Sequence, residues 1–441
     1  MTTRIVLSVL IATLIPGAPA FAQTPAERPI ADQYVDPVNG VSLEQAVAQA
    51  LAQEPSIRSA RTEIDVARGI RLQASLRSNP TVSFERREEP SGTDHQTTVA
   101  MEWPLGVFRR GFRVAVADRE LHAVQLGVAD LERLLAAEVR RKYGEVLAAV
   151  RDIALLDEVV ATTRRQHGLL RSRVEEGATP PLERDLLDVE LRRLQADRVL
   201  QAGRTEAAFF ELKRVLGLGA DASLMVRDTL EDVVRREASA TPRVSATSAV
   251  FEPRADVRKA AARVDVADAR IERVQAEGRF DLGLFASYMR MDTGFPQRAF
   301  APDGSLERVR GLFQYVSAGA TVTVPILNRN QGEIAAARAE RAGAAAAYEA
   351  VQLTAHSELA AARALDEHAR QAVNTYSSEA RALARQNLNV VSRSHDLGRV
   401  TVFDVLSEQR RYLDVERAYA VALKTAYEAR TVLNLAVGGE R

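Results

Sequence analysis

Two hydrophobic periods alternate along this chain, and each occurs twice. The first has apolar residues spaced by threes and fours. Val128, Leu131, Leu135, Val139, Tyr143, Val146, Val150, Ile153, Leu156 and Val160 keep this spacing without interruption, which predicts a helix far longer than a globular domain normally holds. No proline occurs from Leu105 to Thr179, so this run of about 70 residues reads as a rod on the order of 100 Å long. Gly177 and the Pro180-Pro181 pair break it, a return helix runs from Leu182 to Leu216, and Gly217 and Gly219 stop that.

The second period is two. Val82 and Phe84 alternate with polar neighbours within residues 81–89, and Thr97, Val99, Met101 and Trp103 share one face of residues 96–103. With the polar turn from Pro90 to His95 between them, these runs predict a β-hairpin. Ser42-Leu-Glu-Gln45 is a capping-box pattern that opens an earlier helix with Leu43, Ala46, Val47, Ala50 and Leu51 on one face. A second helix starts at Pro55 and runs to about Arg77, before Asn79-Pro80.

The whole order then repeats. Arg254 to Gly278 reads as a helix, and Val264-Asp-Val-Ala267 echoes Ile64-Asp-Val-Ala67. Strands follow near 280–291 and 312–324, with a polar loop expected at about 292–311. Pro104 matches Pro325, Gly111 matches Gly332, Gly177 matches Gly398 and Gly217 matches Gly438, all at an offset of 221 positions. One constant offset across a long helix, a sharp turn and a return helix marks an internal duplication. The second return helix carries two adjacent seams, Leu406, Leu413, Ala420 and Tyr427 beside Val405, Tyr412, Tyr419, Ala426 and Leu433. Two seams make a broad stripe, so this helix is expected to touch more than one partner.

The division that follows is a signal segment at 1–22, an extended arm at 23–41, a first repeat at 42–219, a linker or equatorial segment at 220–252 and a second repeat at 253–441. Ser239 to Ser248 reads as its most linker-like part. The fold class expected is mainly α with a small β part.

Composition narrows the setting. Arg4 followed by the apolar run Ile5 to Ile15, Pro16-Gly17 and Ala20-Phe21-Ala22 forms a secretory signal, with cleavage expected between Ala22 and Gln23. The apolar run is well short of the ~20 residues that span a bilayer. There are 59 basic and 59 acidic residues, so neither a nucleic-acid partner nor an acidic tail is implied. Cysteine is absent, which excludes disulfides and a lipid-attachment thiol. No other segment approaches a transmembrane helix, so any membrane insertion must use β-strands.

Four strands of roughly 10 residues each are long enough to cross a bilayer when tilted, but four cannot close a barrel. An open sheet would leave unpaired edges in lipid. Sharing among two, three or four chains gives 8, 12 or 16 strands, and the arithmetic selects none of them. The alternative is a pair of soluble hairpins packed on the helices.

Candidate chemistry is sparse. The six histidines show no metal-ligand spacing and are expected to face solvent. Met289 and Met291 share one strand face, read as wall packing, and Trp103 at a strand end suits a membrane-interface girdle. No nucleophile motif, phosphate loop or nucleotide fingerprint is present, so no enzyme activity and no cofactor are expected.

Ser42-Leu-Glu-Gln-Ala46, Asn79-Pro-Thr-Val-Ser83, Pro325-Ile-Leu-Asn-Arg-Asn-Gln-Gly-Glu-Ile334 and Gly398-Arg-Val-Thr-Val-Phe-Asp-Val-Leu406 together resemble the TolC-type outer-membrane efflux channel family. The likeness covers nearly all of the chain after the signal segment. It implies a homotrimer whose shared 12-stranded barrel sits in outer-membrane lipid, above an α-helical barrel in the periplasm. It implies as partners a periplasmic adaptor and an inner-membrane transporter of the proton-driven kind. The implied function is a passive exit duct of a tripartite efflux system. Protein secretion of type I uses the same fold, and a soluble periplasmic coiled-coil adaptor or scaffold is the alternative from another class. Asn79-Pro80-Thr81 and Asn328 to Gly332 look like the heavy-metal-cation branch, which bears on metal resistance.

The resemblance also places both glycine turns at the periplasmic tips, where such channels close. Asp404 falls on the first acidic position of the constriction, and Ser407 falls where a second acid occurs in the best-known members. Glu183 stands six residues after its glycine, as Asp404 does after Gly398. Rings of these acids are expected to raise their own pKa values and to attract divalent cations. The competing reading is that both acids simply favour a helix N-terminus. Gly177, Pro180, Pro181, Gly398, Val400 and Val402 are the positions expected to meet the adaptor.

Overall fold

The computed structural model describes residues 30–90, 94–239 and 254–438. The signal segment, its cleavage site at Ala22 and Gln23, and the linker beyond Ser239 lie outside these residues. A short 3-10 turn at Ile30–Gln33 precedes α1 (Leu43–Gln53) and α2 (Pro55–Ser75). The first hairpin is β1 (Thr81–Glu88) and β2 (His95–Pro104), followed by α3 (Arg110–Glu175) and α4 (Pro181–Val215). After α5 (Leu230–Ser239), the second repeat holds α6 (Ala255–Glu277), β3 (Asp281–Phe300), β4 (Leu306–Thr323), α7 (Gln331–Thr375), a π turn (Tyr376–Ala380), α8 (Arg381–Asp396) and α9 (Val402–Val437).

The four strands form one antiparallel sheet in the order β1-β2-β3-β4. It stands at one end of the molecule, and α2, α3, α6 and α7 pack side by side beneath it. Farther down, α3 continues between α4 and α9, and α9 packs against α8. The sheet and both helix layers therefore each leave two open flanks.

Local sequence explains most of these elements. Ser42 and Gln45 form the expected capping box of α1. Every residue of the long α3 seam is buried except Leu131, which is exposed. Both seams of α9 are buried along their whole length, because α9 meets α3, α5, α7 and the π turn as well as α8. At the crossing of the two repeats, the Tyr427 ring fills the space where a Cβ on Gly144 would lie. Its hydroxyl donates to the Arg140 carbonyl at 2.9 Å, so only glycine lets α3 and α9 approach this closely.

The main core is a belt around the middle of the helices. It joins Leu43, Ile57, Val139, Tyr143, Leu212, Val226, Leu230, Leu423 and Tyr427. Tyr143 Oη lies 2.8 Å from both the Val41 carbonyl and the Asp228 carboxylate, and burial followed by the bond to Asp228 pushes its pKa up. Asp228 also accepts from the Leu43 amide at 3.1 Å, so one carboxylate ties α1 to α3. Residues 30–41 are not a free arm. Val35 and Val41 both bridge to Val226 in parallel fashion, which brings the start of the linker or equatorial segment into this belt.

Three expectations are corrected. First, β3 has 20 residues and β4 has 18, so most of the span expected to be a polar loop is strand. The repeat offset is 200 between residues 64 and 264 but 221 between residues 104 and 325. The added residues therefore all lie in the second hairpin, which continues past the end of the first. Pro296 falls inside the register shift between Gly294 and Arg298, a place where a strand tolerates proline. Gly304, at φ 83°, closes the turn.

Second, the long helix of the second repeat is not continuous α. It spans 331–396 as does its counterpart 110–175, but Tyr376–Ala380 makes a π turn. Third, three histidines meet acids rather than standing free in solvent. His95 Nδ1 lies 3.9 Å from Glu88. His167 Nε2 lies 3.9 Å from Asp188, and His395 Nε2 lies 3.7 Å from Glu183.

Candidate functional site

Both glycine turns end their long helices in the same way. Gly177 and Gly398 have φ of 72° and 70°, a region that costs other residues strain. The Gly177 amide bonds the Val174 carbonyl at 3.0 Å and the Ala178 amide bonds Arg173 at 2.8 Å. The Gly398 amide bonds His395 at 2.8 Å and the Arg399 amide bonds Ser394 at 2.9 Å. These are paired Schellman closures, and they satisfy carbonyls that a helix end leaves open.

The return helices start differently. Pro180 is the N-cap of α4 and Pro181 its first helical residue, with no side-chain cap. Thr401 caps α9 in a capping box with Asp404. The Thr401 amide and hydroxyl reach Asp404 Oδ2 at 2.9 and 2.7 Å. Those bonds, the hydroxyl first, hold the Asp404 carboxyl below the usual range. Within one chain this is opposite to the upward shift expected from a ring of acids. The Asp404 side chain is exposed, as is Ser407.

Glu183, at the equivalent position, turns toward the second repeat. Its carboxylate reaches His395 on α8 while remaining partly exposed. A cluster of Leu170, Leu187, Val402 and Leu406 joins α3, α4 and α9 just behind the turns. A cavity of about 40 Å³ opens beside it between Gln166, Ser392, His395 and Val405, room for a single water.

Gly177, Pro180, Pro181 and Gly398 are exposed at the tips and Val400 is half-buried. Val402 is not at the outer surface. It is 3% exposed because it begins the buried seam of α9. Sequence reasoning missed Leu182 and Phe403, which stand 221 positions apart at the second residue of each return helix. They are 64% and 61% exposed. The repeat offset itself is the signal that pairs them.

Farther up, α8 is locked to the equatorial belt. Arg381, the first residue after the π turn, reaches Glu416 at 2.9 Å, and Arg151 reaches it at 3.0 Å. Arg151 also pairs with Glu231 at 2.6 Å. Both guanidinium groups lie over the Tyr419 ring, at 4.1 and 5.1 Å from its centroid. No cluster of three or more metal-ligating side chains occurs among the described residues.

The two faces of the sheet differ in chemistry. Val82, Phe84, Val99, Met101, Trp103, Leu284, Tyr288, Val316 and Val322 share one face by register. The other carries Ser83, Glu85, Thr98, Glu102, Ser287, Ser317 and Thr321 together with Phe285, Met289, Phe313 and Tyr315, with Ser287 and Ser317 hydroxyls 2.7 Å apart. The hairpins are not packed on the helices by their apolar face, since Phe84 and Val316 are 69% and 83% exposed. A wholly apolar band on one face and a mixed face carrying the polar residues suit a barrel wall in lipid. No described helix is long and apolar enough to cross a membrane.

A wall fragment of this kind above long paired helices defines the class of outer-membrane channel proteins with a periplasmic helical barrel. The model of the outer membrane efflux protein family matches residues 247–439, which span the second repeat, and over that stretch the chain is similar to this family. Outer membrane protein OprJ of Pseudomonas aeruginosa is 25% identical over 410 residues, covering 85% of this chain and 78% of that protein. The crystal structure of CusC, described with transmembrane channel formation, aligns with TM-score 0.69 at 17% identity, covering 90% of this chain and 92% of the other. The outer membrane protein VceC of Vibrio cholerae aligns with TM-score 0.67 at 19% identity, covering 90% and 96%. These likenesses give the chain the fold of outer-membrane channel proteins, with its large helical part on the periplasmic side. Members of the family are channels, not enzymes.

Proposed function

We propose that this protein is a passive exit duct, closed at the periplasmic helix tips and opened there when an adaptor and an inner-membrane transporter dock. Three chains share one barrel in this reading, each adding four strands, which satisfies the open edges of β1 and β4. The observation that carries the gate is the matched pair of tips. Glu183 and Asp404 leave equivalent positions of α4 and α9, held in step by Leu170, Leu187, Val402 and Leu406. Asp404, fixed by Thr401 and exposed, is the principal constriction residue, and Glu183 and Ser407 are secondary. The adaptor meets Gly177, Pro180, Pro181, Gly398 and Val400, and we add Leu182 and Phe403 as its apolar contacts.

Passive conduction is tested by reconstitution. The Asp404→Ala variant, expected to be more open, should carry ions in a planar bilayer with no nucleotide and no proton gradient supplied. A requirement for either would overturn the reading.

A further inference from the structure

The sheet's outward face changes character abruptly toward the extracellular end. From the rows of Leu282–Val322 to Tyr288–Val316 it is apolar on all four strands. The next row holds Arg86, Thr97, Arg290 and Gln314. The row after that holds Glu88, His95, Asp292 and Leu312. Above it only the long second hairpin continues, and its outward rows are Gly294–Arg310, Arg298–Arg308 and, at the turn, Phe300–Leu306.

Arg298 and Arg308 are direct cross-strand partners. Like charges in that position destabilise a hairpin. Arg290, Arg298, Arg308 and Arg310 are all exposed, and none makes an ion pair with a described residue. The nearby acids do not neutralise them. Glu88 is paired with Arg86, Asp303 bonds Ser305, and Glu307 alternates to the inner face. Asp292 and Glu88 share the outward face, flanking His95 in one row, and Glu88 is already taken by Arg86.

The rows also have a definite height. Arg310 and Arg308 lie six and eight residues above Val316, about 20 and 27 Å along a strand at ~3.4 Å per residue, or roughly 15 and 20 Å in height at a tilt of about 40°. The arginines therefore start at the edge of the apolar band and climb through the headgroup layer.

We propose that the outward face of the β3–β4 extension binds an outer-leaflet lipid whose headgroup carries phosphate groups. Arg290 takes a phosphate at the hydrocarbon boundary, and Arg298, Arg308 and Arg310 take phosphate higher up. Guanidinium forks bind phosphate bidentately. The opposed Arg298–Arg308 pair becomes favourable with an anion between its members. The apolar band directly below seats the acyl chains, so the occupant is an anionic amphiphile.

The test uses the full-length protein in mixed micelles, titrated with a bis-phosphorylated glycolipid and with the same glycolipid after dephosphorylation. The phosphorylated form should bind at least about tenfold tighter, an effect that weakens with salt. The triple variant R298Q/R308Q/R310Q should lose that preference while conducting ions like the parent. Excess inorganic phosphate should leave the lipid preference in place. Should the triple variant fail to assemble, Arg298→Gln alone should lower the preference several-fold and, without lipid, leave the hairpin no less stable. Equal binding of the two lipids, an unchanged preference in the variants, or full displacement by inorganic phosphate would each overturn the proposal.

Discussion

Glu183 and His395 lie 3.7 Å apart, and this pair links the tip of one repeat to the tip of the other. Glu183 starts α4 and His395 ends α8, so the contact crosses between two helical hairpins that are far apart in sequence. Both side chains keep some exposure, and exposed ion pairs contribute ~0–1 kcal/mol. Glu183→Ala should therefore shift the thermal midpoint by no more than ~2–3 °C. It should also change conductance less than a matching change at Asp404, whose carboxylate faces solvent. A larger conductance effect at Glu183 would reverse the assignment of the two acids.

The tip glycines should be intolerant for a conformational reason. Nothing lies within 4 Å of an added Cβ at Gly177 or Gly398, so the cost of alanine there is backbone strain of ~1–2 kcal/mol each. Gly168 also has open space around it, within α3. There, alanine should stabilise by up to about 1 kcal/mol. Thermal denaturation of the variants checks both signs, and a neutral Gly398→Ala would contradict the closure described.

Glu416 is the anchor between α8 and the belt. Replacing it with alanine leaves Arg151 and Arg381 facing each other over Tyr419. Arg151 keeps Glu231 and Arg381 is partly exposed, so the expected loss is about 1–3 kcal/mol, less than for orphaning a fully buried charge. A midpoint close to that of the parent would show that the network contributes little.

The capping box gives a pH dependence with a definite sign. The folded pKa of Asp404 is lowered. Its contribution is fully present above the ordinary carboxyl pKa of ~3.9 and is lost as pH falls through the depressed folded value. Amide protection in the first turn of α9, taken relative to the intrinsic exchange rate at each pH, should hold down to about pH 4 and fall below it. Thr401→Val should remove that acid transition.

Much of this architecture was legible in the residues. The seams of α3 and α9 were readable because burial on one side forces a helical period, and the tips because glycine at positive φ recurs at a fixed offset. The second hairpin was misread because Gly294, Pro296, Pro302 and Gly304 carry turn chemistry, while strand pairing overrides it through a register shift at Pro296. The π turn has no proline, glycine or insertion to mark it. Val402 was misplaced because an apolar residue at a tip suggests docking, although its spacing to Leu406 and Leu413 already put it on the seam. Glu183 and His395 are joined only by tertiary packing, which no local pattern records.

The central claim is that the duct closes at its tips. It is tested most directly by single-channel conductance of the purified protein and of Asp404→Ala in a planar bilayer, with and without a divalent cation on the periplasmic side. The account predicts a higher conductance in the variant and a cation block that is present in the parent and weakened in the variant. Unchanged conductance together with unchanged block would show that Asp404 caps α9 and takes no part in closing the channel.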